Sequence, residues 1–131
     1  MKIYIASSFK NAAEVRDLAA RMKAVGLEPL CAWARTKFAH AGQILPDTVE
    51  ESTEEAYRDL DEIEAANAVV FLNNGVPSTT GGMHFEVGYA YAMEKELIIL
   101  GPRSSVFHHL KGVRQFDTVN DFLEAYGLDR S

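Results

Sequence analysis

The chain has 131 residues, of which 47% are hydrophobic and 24% are charged, and its formal net charge is −6. This length is typical of one domain that can bury a core, and an acidic chain without a basic stripe is not expected to bind a nucleic-acid polymer. No apolar stretch approaches the roughly 18 residues of a membrane span, and the single cysteine, Cys31, excludes an intrachain disulfide and fits a reducing, cytoplasmic location.

The hydrophobic pattern predicts strands and helices that alternate along the chain. An amphipathic period marks the helices, and short, nearly continuous apolar runs mark buried parallel strands. In chain order we predict strand 2–7, helix 11–25, strand 27–33, a helix that opens at 52–55, strand 68–72, helix 84–95, strand 96–101, a short strand 115–119 and a final helix 120–126.

Local signals refine the boundaries of these elements. Asn11 and Glu14 have the spacing of a capping box, which predicts that Asn11 caps the first helix, and Gly26 provides its stop. Residues 34–51 show no clean periodicity, and a connection of that length in a compact domain is usually functional or mobile. Residues 73–82, with the sequence NNGVPSTTGG, form a turn-rich loop.

This alternation predicts an α/β fold, a Rossmann-like (flavodoxin-like) doubly wound parallel sheet of about five strands. Ligands of such folds bind at the carboxyl ends of the strands, where the strand order reverses. In the flavodoxin-like order that crevice lies between the first and third strands. The loops that follow these strands are 7–10 and 73–82, and they are the loops richest in small and polar residues.

Glu86 is the most informative single residue. It is the only acidic residue in 81–93, a mostly apolar segment, and carboxylates are seldom buried without a partner. We place it in the first turn of its helix, where the helix N-terminus would favour its ionised form. An ionised carboxylate beside a ligand crevice suits nucleophilic attack on a glycosyl carbon. The competing interpretation is that Glu86 caps its own helix or pairs with a buried cation.

Three blocks of sequence carry a family resemblance. They are IYIASS at residues 3–8, Asp59-Leu60 leading through Ile63 into the strand at 69–72, and GMHFEVGYA at residues 82–90. In this order and at this spacing they resemble the nucleoside 2-deoxyribosyltransferase family, including its 2′-deoxynucleoside 5′-phosphate N-hydrolase branch. The similarity covers nearly the whole chain, and it implies one domain of this type over residues 1–131.

The resemblance assigns roles to three side chains. Glu86 falls on the nucleophile that attacks the anomeric carbon and forms a glycosyl-enzyme intermediate. Tyr4 falls on the tyrosine that holds this carboxylate by a hydrogen bond, and Asp59 falls on the aspartate near the sugar and the base. From the residues alone, Tyr4 could instead be a strand tyrosine with its hydroxyl at the surface, and Asp59 a solvated charge on an acidic helix.

The resemblance also implies a substrate-binding set. Ser8, with Phe9 and Lys10, falls where the nucleotide hydrolases have a Ser-x-Arg loop for the 5′-phosphate. His108 lies near the position of a residue that similar enzymes extend into the neighbouring subunit's site. No ligand spacing supports a metal site at His108. The predicted set is Ser7, Ser8, Phe9, Lys10, Thr80, Gly81, Gly82 and His108.

The chain departs from the family pattern in two places, position 80 and the phosphate loop. Transferases have an acidic residue about six positions before the nucleophile, which handles the base proton, and Thr80 in its place argues against exchange between bases. Lys10 replaces the arginine of the phosphate loop, and Asn11 replaces a glycine. Lysine still binds phosphate, but as a point charge rather than as a bidentate fork. Trp33 and Phe38 could stack on the base or pack in the core.

The sequence therefore predicts hydrolysis of a (deoxy)nucleoside 5′-monophosphate to a free base and a sugar phosphate, without a metal or an organic cofactor. The resemblance and the apolar helix 84–95 also predict at least a homodimer, in which the neighbouring subunit completes the site. The alternatives are a deoxyribosyltransferase that exchanges bases on free deoxynucleosides, a nucleotide-binding sensor without turnover, and a glycohydrolase of NAD or of a cyclic ADP-ribose-type signal.

Overall fold

The computed structural model describes residues 1–43, 45–75 and 81–128. Five parallel strands form one sheet in the order β2-β1-β3-β4-β5. This is the predicted flavodoxin-like order, and its switch point lies between β1 and β3. The elements are β1 Lys2–Ala6, α1 Ala12–Ala24, β2 Glu28–Leu30, α2 Lys37–His40, α3 Val49–Ala65, β3 Ala68–Leu72, α4 Gly82–Ala92, β4 Glu96–Leu100, β5 Arg114–Phe116 and α5 Val119–Tyr126.

The central strands are covered on both faces of the sheet. Every residue of β3 is buried, as are the last four residues of β4. A strand that is buried on both faces has apolar residues at consecutive positions, so AVVFL and ELIIL show no alternation of polar and apolar residues. In β1, Tyr4 pairs with Val69 of β3. Tyr4 is 0% exposed, so its side chain projects from the middle of the sheet.

The helices divide between the two faces of the sheet. α3 contacts α4 on one face, as right-handed crossovers from β2 to β3 and from β3 to β4 require. α5 lies beside α1, because Arg21 donates a hydrogen bond to Asn120 and the Leu128 amide donates to the Val25 carbonyl at 2.7 Å. The face that carries α3 and α4 is the one toward which Tyr4 points. Within the residues described, no helix combines the length and the apolar character needed to cross a membrane.

Helix α3 begins earlier than the prediction from 52–55. Thr48 caps it, since its Oγ1 accepts a hydrogen bond from the Glu51 amide at 3.1 Å and donates to the Glu51 carboxylate at 3.0 Å. This reciprocal arrangement satisfies an otherwise unpaired amide of the first turn. The segment 34–51 is therefore not one irregular loop, because it holds α2 and the start of α3.

The predicted capping box of α1 is absent. Asn11 occupies the N-cap position, but its side chain makes no capping hydrogen bond. Its amide group is turned toward other loops instead, as described below. The stop at Gly26 is confirmed, because Gly26 has a φ of +86°, the left-handed conformation that glycine adopts at low cost.

The edge strands β2 and β5 are shorter than predicted. The strand expected over 27–33 is limited to Glu28–Leu30, and the chain then turns into a 3-10 helix at Ala32–Arg35. The strand expected over 115–119 is Arg114–Phe116. Both lie at the margins of the sheet, where only one neighbouring strand holds them.

The loops after β3 and β4 approach each other closely. The Asn73 amide donates to the Leu100 carbonyl at 2.8 Å. Gly101 has a φ of +114°, and a Cβ built there would lie 1.9 Å from the Asn73 carbonyl oxygen. Only glycine fits this approach, which fixes the two loops at the carboxyl edge of the sheet.

Candidate active site

A cleft of about 270 Å³ opens at the carboxyl end of β1, on the face that carries α3 and α4. It lies at the switch point of the sheet, where ligands of doubly wound folds bind. Its volume is near the lower end of the range for small-molecule pockets, roughly 300–1,000 Å³. The residues that line it are Ser7, Phe9, Trp33, Ala56, Asp59, Leu60, Gly82, Met83, Phe85 and Glu86.

Tyr4 and Glu86 meet at this cleft. The Tyr4 hydroxyl donates a hydrogen bond to Glu86 Oε2, although the two residues are 82 positions apart in the chain. The sheet holds the phenol rigidly, because Tyr4 is fully buried. Burial and the Glu86 charge raise the pKa of Tyr4 well above its ordinary value. The phenol therefore stays protonated and acts as a fixed donor to the carboxylate.

The prediction that the helix N-terminus would keep Glu86 ionised is wrong. α4 begins at Gly82, and its first turn contains no acidic residue, so Glu86 lies beyond the turn where the dipole acts most strongly. Burial and, to a smaller extent, the Asp59 charge raise the pKa of Glu86 to about 8, although the Tyr4 hydrogen bond lowers it. Below pH 8 the free site therefore holds mostly protonated Glu86.

Asp59 is the second carboxyl group of the cleft. Burial, followed by the Glu55 charge, raises the pKa of Asp59 to about 7, and Arg58 lowers it. Its Oδ1 atom is buried without a hydrogen-bond partner among the described residues. An unsatisfied buried carboxyl oxygen is costly, and its position in a cleft wall leaves it available to a ligand. Two carboxyl groups with raised pKa values thus share one cleft.

Aromatic rings form the wall opposite the carboxyl groups. Trp33 is buried, and its indole Nε1 donates to the Ile5 carbonyl at 2.9 Å. Phe9 packs edge-on against Trp33 and tilted against Phe38, each with ring centroids 5.4 Å apart. Phe9 and Trp33 line the cleft, whereas Phe38 packs behind Phe9 and does not. An apolar, aromatic wall is suited to a flat heterocyclic ring.

The loop after β1 contributes in two ways. The Ser7 hydroxyl is used within the fold, since it donates to the Leu72 carbonyl at 2.7 Å and accepts from Asn11 at 3.0 Å. Ser8 is partly buried, and its hydroxyl accepts weakly from the Lys10 amide at 3.4 Å. The side chain of Lys10 is exposed. Of these three predicted residues only Ser7 lines the cleft, whereas Ser8 and Lys10 lie beside it in the chain.

The glycines before Glu86 set the start of α4. Gly81 is the N-cap residue with a φ of +72°, and its carbonyl accepts from the Phe85 amide at 3.2 Å. Gly82 lies in the cleft wall. Thr80, predicted as a site residue, lies outside the described residues.

His108 is placed differently from the prediction. It is 2% exposed within its own chain, so it does not extend toward a neighbouring subunit. Its Nδ1 accepts from the Ser104 amide at 3.0 Å, its ring packs edge-on against Phe71, and burial lowers its pKa. Across the described chain, no group of three His, Cys, Asp or Glu side chains could hold a metal ion.

Four apolar residues of the cleft are not among the site residues predicted from the sequence. Ala56 and Leu60 flank Asp59 on α3, and Met83 and Phe85 flank Glu86 on α4. Helical spacing carries the signal for Ala56 and Met83, because each lies three residues before the carboxylate on its helix and shares a face with it. Leu60 and Phe85 are direct sequence neighbours of the carboxylates, so helical spacing does not indicate them. Phe85 is 66% exposed despite its size, at the rim of the cleft.

The sequence matches the profile of the nucleoside 2-deoxyribosyltransferase family over residues 3–123. The chain belongs to this family. No curated protein gives a sequence match. Membership in the nucleoside 2-deoxyribosyltransferase family makes the protein an enzyme of N-glycosidic chemistry, either a deoxyribosyltransferase or an N-glycoside hydrolase.

Solved structures with the same fold include members of both kinds. The chain is similar to the 2-deoxyribosyltransferase of Bacillus psychrosaccharolyticus, with 18% identity, a TM-score of 0.70, and 93% of this chain and 90% of that chain covered. It is similar to the CMP N-glycosidase of Clostridium botulinum, with 19% identity, a TM-score of 0.62, and 95% and 97% covered. A conserved protein of Enterococcus faecalis V583 has 17% identity, a TM-score of 0.67, and 95% of each chain covered.

Proposed function

We propose that this enzyme hydrolyses the N-glycosidic bond of a (deoxy)nucleoside 5′-monophosphate and releases a free base and a sugar 5-phosphate. The observation that carries the proposal is the Tyr4 hydroxyl bound to Glu86 at a cleft of about 270 Å³. A carboxylate held by a buried phenol, beside a second carboxyl group and an aromatic wall, is suited to a glycosyl centre. No metal or organic cofactor takes part in this chemistry.

Glu86 acts as the nucleophile in the first step. Its ionised oxygen forms a bond to C1′ while the C1′–N bond breaks, and the electron pair leaves with the base nitrogen. The Tyr4 hydrogen bond lowers the pKa of Glu86, so it increases the ionised fraction that this step requires. The product is an ester between the sugar and Glu86.

Asp59 supplies the proton in the same step. With a pKa of about 7, its carboxyl group is half protonated at neutral pH and can protonate the departing base. Ionised Asp59 then accepts a proton from the water that attacks C1′, and this attack frees Glu86. The reactive form of the site is therefore the one in which Glu86 is ionised and Asp59 is protonated, and in that form the two carboxyl groups take the two roles that glycoside cleavage needs.

The 5′-phosphate is assigned to the loop after β1. Ser8 offers a hydroxyl and Lys10 an exposed ammonium group, and the two residues flank Phe9, which lines the cleft. A charge fixed at the 5′ end would place C1′ over Glu86, and such positioning lowers the barrier. One protein of the same fold is a CMP N-glycosidase, a nucleotide hydrolase.

The second candidate is base exchange on free deoxynucleosides. Membership in the nucleoside 2-deoxyribosyltransferase family and the fold shared with a 2-deoxyribosyltransferase favour it. It uses the same ester on Glu86, which a second base would attack in place of water. The absence of an acidic residue at Thr80 favours hydrolysis.

We also propose that the enzyme works as a homodimer or a larger homo-oligomer in the cytoplasm. Three large apolar side chains of the α4 region remain exposed in one chain: Phe85 at 66%, Tyr91 at 48% and Met93 at 39%. Exposed apolar surface of this kind is typical of an interface, and Phe85 also lies at the cleft. Sedimentation analysis of the wild-type protein tests this, because a monomeric wild-type protein would exclude the oligomer. The same measurement on Phe85→Ser tests whether Phe85 is part of the interface.

A chromatographic panel tests the reaction. Purified enzyme is incubated with each common nucleoside and 5′-monophosphate, in ribo and deoxy forms, beside Glu86→Ala. We expect base release from a monophosphate that disappears in the variant. Base release from unphosphorylated nucleosides alone would remove the phosphate role, and formation of a new nucleoside after addition of a second base would identify a transferase. No cleavage would favour a sensor, or a glycohydrolase of a dinucleotide.

A further inference from the structure

The buried polar side chains of this protein are concentrated at one edge of the sheet. Within the described residues, and Tyr4 and Trp33 aside, the buried residues with hydrogen-bonding side chains are Ser7, Asn11, Asn73 and His108. All four lie in the loops that follow β1, β3 and β4. Buried polar groups need partners, and a buried network is retained where it fixes one geometry.

Asn11 connects two of these loops through its side chain. Its Nδ2 donates to the Ser7 hydroxyl at 3.0 Å, and its Oδ1 accepts from Asn74 Nδ2 at 2.7 Å. The Ser7 hydroxyl in turn donates to the Leu72 carbonyl at 2.7 Å. The loop after β1 is therefore joined to the end of β3 and to the loop beyond it at two points.

This use of Asn11 replaces its usual role. An asparagine at the N-cap normally stabilises a helix because its side-chain oxygen accepts a hydrogen bond from an amide of the first turn. Here that bond is absent. The backbone still folds locally, since the Asn11 amide donates to the Ser8 carbonyl at 2.8 Å. The Asn11 side chain therefore connects two loops instead of capping α1.

The segment that Asn11 holds is a wall of the cleft. Ser7 and Phe9 line the cleft directly, and Ser8 and Lys10 lie in the same short segment. A shift of this segment relative to β3 would move the groups assigned to the 5′ end away from Glu86.

We propose that Asn11 is a positioning residue for the substrate, which fixes the segment 7–10 against the end of β3 and so sets the distance between the phosphate-binding groups and Glu86. This inference rests on the proposed function. Its specific consequence is that the Asn11 link matters for a phosphorylated substrate and much less for a nucleoside without the phosphate.

Asn11→Gly is the informative variant. Glycine removes both side-chain hydrogen bonds, but it is a good N-cap residue and no capping bond is lost, so α1 should stay folded. Asn11→Asp keeps the size and the acceptor for Asn74 but loses the donor to Ser7. The matched control is Asn67→Ala, which removes an asparagine link between the same two strands at their opposite ends, where Asn67 Oδ1 accepts from the Lys2 amide at 2.8 Å.

Steady-state kinetics separate positioning from folding. We expect Asn11→Gly to raise the KM for the monophosphate roughly five- to tenfold, the change that the loss of one or two net hydrogen bonds gives. The KM for the corresponding nucleoside and kcat should change less than twofold, Asn11→Asp should be intermediate, and Asn67→Ala should match the wild type. Equal changes for both substrates, or no change, would overturn the proposal.

Hydrogen exchange gives a readout that does not depend on turnover. In Asn11→Gly the amides of 7–10 should exchange faster, while those of β3 keep the wild-type rate. Faster exchange throughout the protein would mean a general loss of stability and would overturn the positioning role. If the wild-type protein cleaves no monophosphate, the proposed function fails. In that case, amides of 7–10 that exchange in Asn11→Gly at the wild-type rate would refute the Asn11 link as well.

Discussion

The phenolic hydroxyl of Tyr4, on the first strand, donates a hydrogen bond to the carboxylate of Glu86, which lies on the helix that follows the third strand. Neither group has an ordinary pKa, because burial raises the pKa of the phenol and raises that of the carboxyl group to about 8. The hydrogen bond is the contribution that lowers the pKa of Glu86. The reactivity of this site is therefore set by the pairing of these two residues.

Tyr4→Phe should raise the pKa of Glu86 further, because the variant loses the hydrogen bond that lowers it. Fewer enzyme molecules would carry ionised Glu86 at pH 7, so kcat/KM should fall about tenfold for each unit of pKa gained. The rising limb of the pH–rate profile should move to higher pH. Tyr126→Phe, which loses a 2.7 Å hydrogen bond to Glu96, is the control and should keep the profile. If the rising limb of the pH–rate profile did not move in Tyr4→Phe, the hydrogen bond would not control the pKa of Glu86.

Glu86→Gln should make the protein more stable at high pH. The pKa of Glu86 is about 8 when folded and near 4.5 when unfolded, so the folded state favours the protonated form. Stability from this group is complete below pH 4.5 and is lost as the pH rises through 8. Glutamine keeps an acceptor for Tyr4 without the charge. At pH 8.5 we expect urea denaturation to show a gain on the order of 4 kcal/mol, and near pH 4.5 almost none. Equal gains at both pH values would refute the linkage.

Asp59→Asn should reduce base release through loss of the proton donor. A general acid contributes roughly 10²–10⁴-fold, so kcat for a natural base should fall within that range. The loss should be much smaller for a 4-nitrophenyl deoxyriboside 5-phosphate, whose leaving group needs no proton. The rising limb of the profile should also move to lower pH, since the Asp59 charge raises the pKa of Glu86.

Asp61→Asn controls for a change of charge on α3, because Asp61 is exposed on the same helix. It should leave both substrates unaffected. If Asp59→Asn impaired the two substrates equally, Asp59 would bind or shape the cleft instead of donating a proton.

Lys10→Ala should weaken binding of the phosphate only. We expect its KM for the monophosphate to rise about tenfold, with little change for the nucleoside. Lys10→Arg should bind the monophosphate at least as well as the wild type, because a guanidinium group contacts phosphate through two parallel hydrogen bonds. Lys111→Ala, at another exposed lysine, controls for net charge. If Lys10→Ala had the wild-type KM for the monophosphate, the phosphate would have to bind elsewhere.

The sheet could be predicted from sequence because its signals are local. Buried parallel strands are continuous apolar runs, so 68–72 was predicted with the bounds that β3 has. The two predicted edge strands are longer than β2 and β5, because the ends of an edge strand depend on pairing with a single neighbouring strand. Helix α3 was placed too late, because Thr48 rather than a residue near 52 supplies the cap.

The electrostatics of the site could not be predicted in the same way. The first-turn position of Glu86 was inferred from a glycine pair, but Gly81 as the N-cap starts α4 early enough to move Glu86 past that turn. Burial by other elements then outweighs the dipole and raises its pKa. Asn11 fitted a capping pattern, and only tertiary structure reveals that its partners are Ser7 and Asn74.

The place of β1 inside the sheet has a consequence for protein synthesis. β1 is an interior strand, and both strands that flank it, β2 and β3, leave the ribosome after it. Until residue 72 has emerged, the apolar strand that contains Ile3 and Ile5 has an open edge that other chains can pair with. Fragments that contain β1 and stop before β3 should therefore aggregate, and a fragment that supplies the missing strands in trans should compete with that aggregation.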